Sequence, residues 1–372
     1  MVLVLELARG VAALWVFFFH IRVLFESSSS TLYQLSAYGN LGVPMFFVIS
    51  GYVITYSAES SLQNNKSPLV FLKNRFLRIY PAFWASVIVV LMIPFLIALI
   101  SYLKSGNYVV SESLLSKLNY NEWFNFLMLS KVFWATSHDL QAQFNAINSV
   151  YWTLAIEFQF YVVIFVSLYF GKYYRYVIAI ISLLALLVMF VPVSLNYGLF
   201  IYYWPSFLVG IALAYFHRYG VWFEPSLKNM SCVILCILML GGINSVTFIF
   251  EKSISNFFFS VCFGVFLWLI ASLEKVFTRI KNSHNKLFYF LFEPWLILGT
   301  MSYSVYLLHG KIYSLPNMFL RQVLDSDNIL FGLLTVIGTL LMCYPFYYFV
   351  ERRFLSKNYQ KIHQEMFAMH CK

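Results

Sequence analysis

The chain has 372 residues, of which 61% are hydrophobic and 11% are charged, and its mean hydropathy is +0.75. Because globular proteins are about 45–50% apolar and about 25% charged, this composition excludes a soluble protein and predicts an all-α, polytopic integral membrane protein. A net charge of +10 also occurs in nucleic-acid-binding proteins. In a membrane protein, basic cytosolic loops explain it, so we expect the lipid bilayer as a partner and no nucleic acid. The five cysteines have no metal-ligand spacing, and we expect no metal.

Ten apolar stretches are long enough to cross a bilayer, which takes about 20 residues of helix. They lie at 3–24, 39–57, 80–102, 150–170, 174–192, 197–216, 230–250, 255–273, 295–311 and 329–350. Seventeen of the 25 Lys and Arg residues fall in one set of loops with the C-terminus, and six fall in the opposite set. Since basic loops stay in the cytosol, both termini are predicted to be cytosolic. We interpret residues 1–355 as one transmembrane domain and 356–372 as a short cytosolic tail.

The first predicted helix carries two ionisable residues on one face. Arg9 and His20 are eleven residues apart, so their side chains share a face and lie about 16 Å apart along the helix axis. Glu6 precedes Arg9 by one turn and is predicted to pair with it. Charge inside a membrane span is costly and marks functional candidates. The alternative is that Arg9 snorkels to the inner surface and His20 merely lies near the outer one.

The next two helices contribute small residues and a pair of arginines. Gly42, Ser50 and Gly51 in the second helix predict close contact with a neighbouring helix. Arg75 and Arg78 are three residues apart, so they project together if this stretch is helical. Guanidinium groups bind phosphate well, which predicts a site for an anionic cytosolic donor such as a coenzyme A thioester. The alternative for the two arginines is a simple cytosolic anchor.

Two later helices carry further polar groups. Glu157 lies in the fourth helix, and a carboxylate within the membrane is a functional candidate unless it forms a structural pair with a cation. In the ninth helix, a polar face is predicted from spacings of three and four; its members are Ser302, Tyr303, Tyr306 and His309.

The predicted topology divides the ionisable residues into two layers. His20, Glu157 and His309 are expected in the outer third of the membrane, and Arg9, Arg75 and Arg78 in the inner half. An anion site inside and an ionisable cluster outside would suit the movement of a chemical group across the bilayer.

Five stretches, in this order, resemble the acyltransferase-3 family of integral membrane acyltransferases. They are Arg9-Gly10 to His20, Gly42-Val43 to Gly51, Arg75 to Pro81, Trp152 to Tyr161, and Ser302 to His309. The resemblance implies an O-acyltransferase of the cytoplasmic (inner) membrane that takes acyl groups, most often acetyl, from cytosolic acyl-CoA. The implied acceptor is a glycan or lipid-linked glycan, as in O-antigen, capsule or exopolysaccharide. The secreted hydrolase-like domain that follows in some members is not expected here.

The resemblance also implies functions for Arg9, His20 and the two paired arginines. Transfer from a thioester to an alcohol needs a base for the hydroxyl, and imidazole suits that role near neutral pH. We therefore predict His20 as the base, with Glu157 or His309 as an orienting partner, and Arg9 as a group that holds either the donor or the oxyanion. The predicted donor site comprises Arg75, Arg78, Tyr80 and Ser50, and the predicted acceptor site comprises Trp152, Tyr303 and Tyr306.

Two other functions stay open at this point. A transporter or flippase for a lipid-linked glycan would also have about ten spans and buried charge, although the two halves of the chain show no detectable repeat. A sensor or assembly subunit without catalysis would tolerate the loss of Arg9 and His20, and both are present.

Overall fold

The computed structural model describes residues 2–27, 29–106, 113–133, 137–190, 198–220, 252–271, 273–282 and 286–355. Throughout this described part the regular elements are α-helices and short 3-10 turns, which confirms the all-α prediction. The helices are α1 Val2–Ile21, α2 Ser30–Ala37, α3 Gly42–Gln63, α4 Pro68–Ser105, α5 Tyr120–Met128, α6 Ser137–Ile147, α7 Trp152–Leu168, α8 Tyr174–Phe190, α9 Trp204–Arg218, α10 Lys252–Ala271, α11 Glu274–Asn282, α12 Lys286–Thr300, α13 Ser302–Ile312, α14 Ser314–Leu320 and α15 Ile329–Phe349.

Seven of the ten predicted spans correspond to helices that are long and apolar enough to cross a membrane, among the described residues. The prediction at 230–250 lies outside those residues. The prediction at 197–216 corresponds to α9, which has only 15 residues and follows a 3-10 turn. The prediction at 295–311 is interrupted, because α12 ends at Thr300 and α13 begins at Ser302.

Helix α4 begins well before the predicted third span. It covers 38 residues, with Ser67 accepting a hydrogen bond from the Leu69 amide at its start and Pro68 in its first turn. At 1.5 Å per residue it is about 57 Å long, longer than the bilayer core. The hydropathy pattern placed its start at residue 80 because Arg75 and Arg78 interrupt the apolar run. Both arginines are therefore helical and share a face, as their spacing predicted.

Glycines bring several helices into close contact. A Cβ atom on Gly210 of α9 would lie 2.0 Å from the Val48 carbonyl oxygen of α3, and one on Gly51 would lie 2.1 Å from the Phe207 carbonyl oxygen. The predicted close contact at Gly51 is thus confirmed. A Cβ on Gly299 would likewise lie 2.0 Å from the Glu6 carbonyl oxygen, so α12 is held against the part of α1 that carries Arg9.

A buried ion cluster ties α3, α8 and α9 together near the end of α3. Glu59 is 3% exposed and accepts hydrogen bonds from Nε and Nη2 of Arg175 at 3.0 and 2.9 Å, and from the Tyr215 hydroxyl at 2.7 Å. Arg218 lies 3.6 Å from the same carboxylate. Since α8 follows the end of α7, this cluster marks the end of the bundle at which both α3 and α7 finish.

Candidate active site

A pocket opens between α1, α3, α4, α7 and α13. It encloses about 840 Å³, a figure that includes space open to its surroundings. Along α3 its wall runs from Val43 to Ile54, which is about 16 Å of helix. The wall is apolar along much of α3 and polar where α1, α4 and α7 contribute, as expected of a site that binds a ligand with both apolar and charged parts.

Three arginines line this pocket: Arg9 from α1, and Arg75 and Arg78 from α4. Arg9 forms the predicted ion pair with Glu6 at 3.1 Å. The guanidinium of Arg75 lies 5.8 Å from the Tyr161 ring centroid, and its buried Nε has no hydrogen-bond partner among the described residues. Since guanidinium groups match the geometry of phosphate oxygens, this part of the pocket, which we call the arginine end, suits an anionic ligand.

Glu157 lies in the same pocket as the arginines. Its Oε1 accepts hydrogen bonds from the Ser50 hydroxyl at 3.2 Å and the Tyr161 hydroxyl at 2.7 Å. The predicted topology separates Glu157, which it groups with the two histidines, from the three arginines. The structure does not show this separation, because Glu157 and the arginines line the same pocket.

His20 and His309 form a pair, with ring centroids 5.1 Å apart. His309 is fully buried, and its Nδ1 donates to the Val305 carbonyl oxygen at 2.9 Å. In the neutral ring this bond leaves Nε2 as the atom with the free lone pair, and Nε2 has no partner among the described residues. His20 is only half-buried. Neither histidine is part of the pocket lining.

Tyr306 belongs to the pocket wall and lies next to His309. Its ring lines the pocket, and its centroid lies 6.0 Å from that of His309. The hydroxyl is held by hydrogen bonds with the Thr153 hydroxyl and the Val150 carbonyl oxygen. The part of the pocket lined by Tyr306, which we call the tyrosine end, is therefore next to His309.

The interruption between α12 and α13 creates a feature that sequence reasoning missed. Glu351, in the 3-10 turn after α15, is fully buried and accepts from the Ser304 amide at 2.9 Å and the Ser304 hydroxyl at 2.6 Å. It thereby satisfies a free amide in the first turn of α13. Glu351 also lies 3.0 Å from Arg78. In the sequence, Glu351 follows an apolar span and precedes Arg352 and Arg353, a pattern that indicates only a membrane boundary.

Two residues of the predicted donor and acceptor sites lie outside the pocket. Tyr80 donates its hydroxyl to the Met128 carbonyl oxygen at 2.9 Å and stacks on Phe76, so it anchors α5 to α4. Trp152 packs against Tyr203 with ring centroids 5.6 Å apart. The remaining predicted residues of the donor and acceptor sites, Ser50, Arg75, Arg78, Tyr303 and Tyr306, all line the pocket.

Comparison with known proteins gives a family match over nearly the whole chain. The model of the acyltransferase domain of the acyltransferase-3 family matches residues 2–348. The peptidoglycan O-acetyltransferase OatA of Listeria monocytogenes is 27% identical over 334 residues, covering 84% of this chain and 51% of that protein. The chain thus spans about half the length of that relative. An uncharacterized protein of Haemophilus influenzae is 26% identical over 231 residues, covering 55% of this chain and 89% of that protein. No solved structure matches.

Proposed function

This chain belongs to the acyltransferase-3 family, and from that premise we propose that it transfers an acetyl group from acetyl-CoA to a sugar hydroxyl of a cell-surface polysaccharide. Membership makes the chain an acyltransferase, which leaves the flippase and the non-catalytic subunit without support. The observation that carries the proposal is the pocket itself. Its lining includes three arginines and Tyr306, and Tyr306 lies beside His309, which is paired with His20.

We propose a topology of ten spans with both termini in the cytosol of the inner membrane. The loops and C-terminus on the proposed cytosolic side carry seventeen Lys and Arg residues, and the opposite loops carry six, which favours this orientation. In it, the arginine end of the pocket faces the cytosol, where acyl-CoA is made, and His20 lies toward the outer side, where a surface glycan is exposed. One pocket then connects the two substrates, which would otherwise be separated by the bilayer.

The donor is proposed to enter with its anionic groups at Arg75, Arg78 and Arg9. These three cations line one pocket, and Arg9 is about 16 Å along α1 from His20. That separation favours a role for Arg9 in holding the donor rather than at the reacting carbonyl. Ser50 and Tyr161 hydrogen-bond Glu157 and so keep its carboxylate fixed beside the donor.

At the tyrosine end, the thioester carbonyl would lie beside Tyr306. The acceptor hydroxyl approaches His20, which is half-buried and takes the hydroxyl proton as the sugar oxygen attacks the carbonyl carbon. A carbon–oxygen bond forms, the carbon–sulfur bond breaks, and the proton passes to the sulfur, giving the ester and free coenzyme A. His309, whose ring is fixed by Val305, would orient His20.

The acceptor is proposed to be a glycan of the cell envelope, such as O-antigen, capsule or exopolysaccharide. The relative from Listeria monocytogenes is named for acetylating peptidoglycan, which is also an envelope glycan. The test is mass spectrometry of the surface polysaccharides from cells with and without the gene, together with release of free coenzyme A from acetyl-CoA by the purified protein and the isolated glycan. We expect loss of ester-linked acetyl groups from one polysaccharide on deletion. Unchanged acetylation and no glycan-dependent release of coenzyme A would contradict the proposal.

A further inference from the structure

The two ends of the pocket differ in chemistry. The arginine end combines Arg75 and Tyr161, whereas the tyrosine end is bounded by Phe46, Thr153 and Tyr306. Phe46 packs edge-on against Tyr306, with ring centroids 6.0 Å apart. Tyr306 is in turn held by Thr153 and the Val150 carbonyl. The tyrosine end is therefore closed by two aromatic rings, and one of them is anchored by hydrogen bonds.

The Phe46 ring is less constrained than the Tyr306 ring, which is held by hydrogen bonds, and less buried than the neighbouring Phe47 ring. It is half-buried and lines the pocket, whereas its neighbour Phe47 is 4% exposed and packs between Phe160 and Tyr203. As a hydrocarbon side chain, Phe46 makes no hydrogen bond that fixes its position. A carbonyl bound beside Tyr306 would lie next to the Phe46 ring, and an acyl chain longer than acetyl would compete with that ring for space.

We propose that Phe46, backed by Tyr306, is the residue that limits the acyl chain to a short one. The proposal rests on the proposed function, since it takes the acyl end of the donor to lie at the tyrosine end. A hydrophobic pocket discriminates against an extra methylene by about 10–200-fold when the added group has no space. Removing the Phe46 ring creates that space and leaves all three arginines of the pocket lining in place.

The experiment compares kcat/KM for acetyl-, propionyl- and butyryl-CoA with the native glycan, using the full chain in membranes. Phe46→Ala should raise the butyryl-to-acetyl ratio by about tenfold or more, in line with the value of two added methylenes in an apolar site. Phe46→Leu, which removes less volume, should give a smaller rise in the same direction. If Phe46→Ala does not accumulate in the membrane, the butyryl-to-acetyl ratio of Phe46→Leu tests the proposal.

Val53→Ala is the matched control. Val53 also lies on α3 and lines the pocket, but it is two turns nearer the end of α3 than Phe46. This substitution should leave the butyryl-to-acetyl ratio within about twofold of wild type. An unchanged ratio in both Phe46 variants, with acetyl transfer retained, would overturn the role of Phe46 and leave the proposed function intact. Absence of transfer by the wild-type chain from any of the three donors would overturn both.

Discussion

Glu351 Oε1 and Arg78 Nη1 lie 3.0 Å apart, although Arg78 belongs to α4 and Glu351 follows α15. The same carboxylate caps the start of α13 through the amide and hydroxyl of Ser304. The pair therefore joins the interrupted helix to the arginine end of the pocket. Glu351 is fully buried, whereas the Arg78 side chain is 26% exposed. Removing the carboxylate should therefore destabilise the protein by less than the value of about 3–5 kcal/mol that is typical of a fully buried pair.

Glu351→Gln should lower the unfolding temperature of the purified protein and increase its response to coenzyme A. Gln keeps the size of the side chain and an oxygen for Ser304, but it leaves the charge of Arg78 without a partner. An anionic ligand bound at Arg78 then replaces the missing negative charge, so coenzyme A should stabilise the variant more than the wild type. Ser304→Ala, which removes a hydrogen bond and no charge, is the control and should not show the larger response. Equal stabilisation of all three proteins would place Arg78 outside the anion site.

Arg75→Lys and Arg78→Lys should each weaken acyl-CoA binding by about tenfold or more. Lysine keeps the charge but not the planar fork that binds phosphate oxygens, and hydrogen bonds between charged groups contribute about 1.5–3 kcal/mol each. Lys73→Gln is the matched control, since Lys73 is exposed on the same helix and outside the pocket. Donor affinity is measured by equilibrium binding in membranes. Unchanged acyl-CoA affinity in both Lys variants and in the double variant would indicate that the two arginines only anchor the chain at the membrane surface.

The membrane orientation can be tested with reporter tags. Fusions at the C-terminus and within residues 58–78 should report a cytosolic location, and fusions within residues 103–149 an external one, because Lys and Arg favour that arrangement by seventeen to six. A cytosolic location for 103–149 would also remove the basis for placing His20 toward the outer side.

Gly210→Ala should destabilise the bundle more than Gly264→Ala. The new Cβ at residue 210 would lie 2.0 Å from a backbone oxygen of α3, which can move only if the two helices separate. At Gly264 the added methyl meets a Val209 side-chain methyl, which can rotate away. Overpacking costs about 1–3 kcal/mol, and thermal unfolding in detergent measures it. Similar unfolding temperatures for the two variants would indicate that α3 and α9 are not closely packed at Gly210.

Local spacing was sufficient to predict much of the candidate site. Arg9 and His20 are eleven residues apart and share a helix face, and Arg75 and Arg78 share another because they are three residues apart. All three arginines line the pocket. The Glu6–Arg9 ion pair follows from the same rule and is confirmed. Such features depend on one helix only, which is why periodicity reveals them.

The features that sequence reasoning missed depend on contacts between distant segments. Hydropathy predicts one continuous span at 295–311, but one helix ends at Thr300 and the next begins at Ser302. Glu351, about fifty residues later, accepts a hydrogen bond from the Ser304 amide in the first turn of α13. The predicted topology separates Glu157 from the arginines, whereas all of them line one pocket, because that pocket depends on how α4 and α7 pack together. Tyr80 was grouped with the donor because it lies near Arg78 in sequence, whereas its hydroxyl contacts α5.

The most direct test of the proposed mechanism is acyl transfer by His20→Gln in membranes, with acyl-CoA binding measured in parallel. Gln retains hydrogen bonding without useful basicity, and general-base catalysis contributes about 10²–10⁴-fold. The arginines proposed to hold the donor are Arg9, about 16 Å from His20 along α1, and two residues of α4. The expected result is therefore a loss of transfer of about that size with near-normal donor binding. His309→Ala should be milder if His309 only orients His20. Near-normal transfer by His20→Gln would contradict its role as the base.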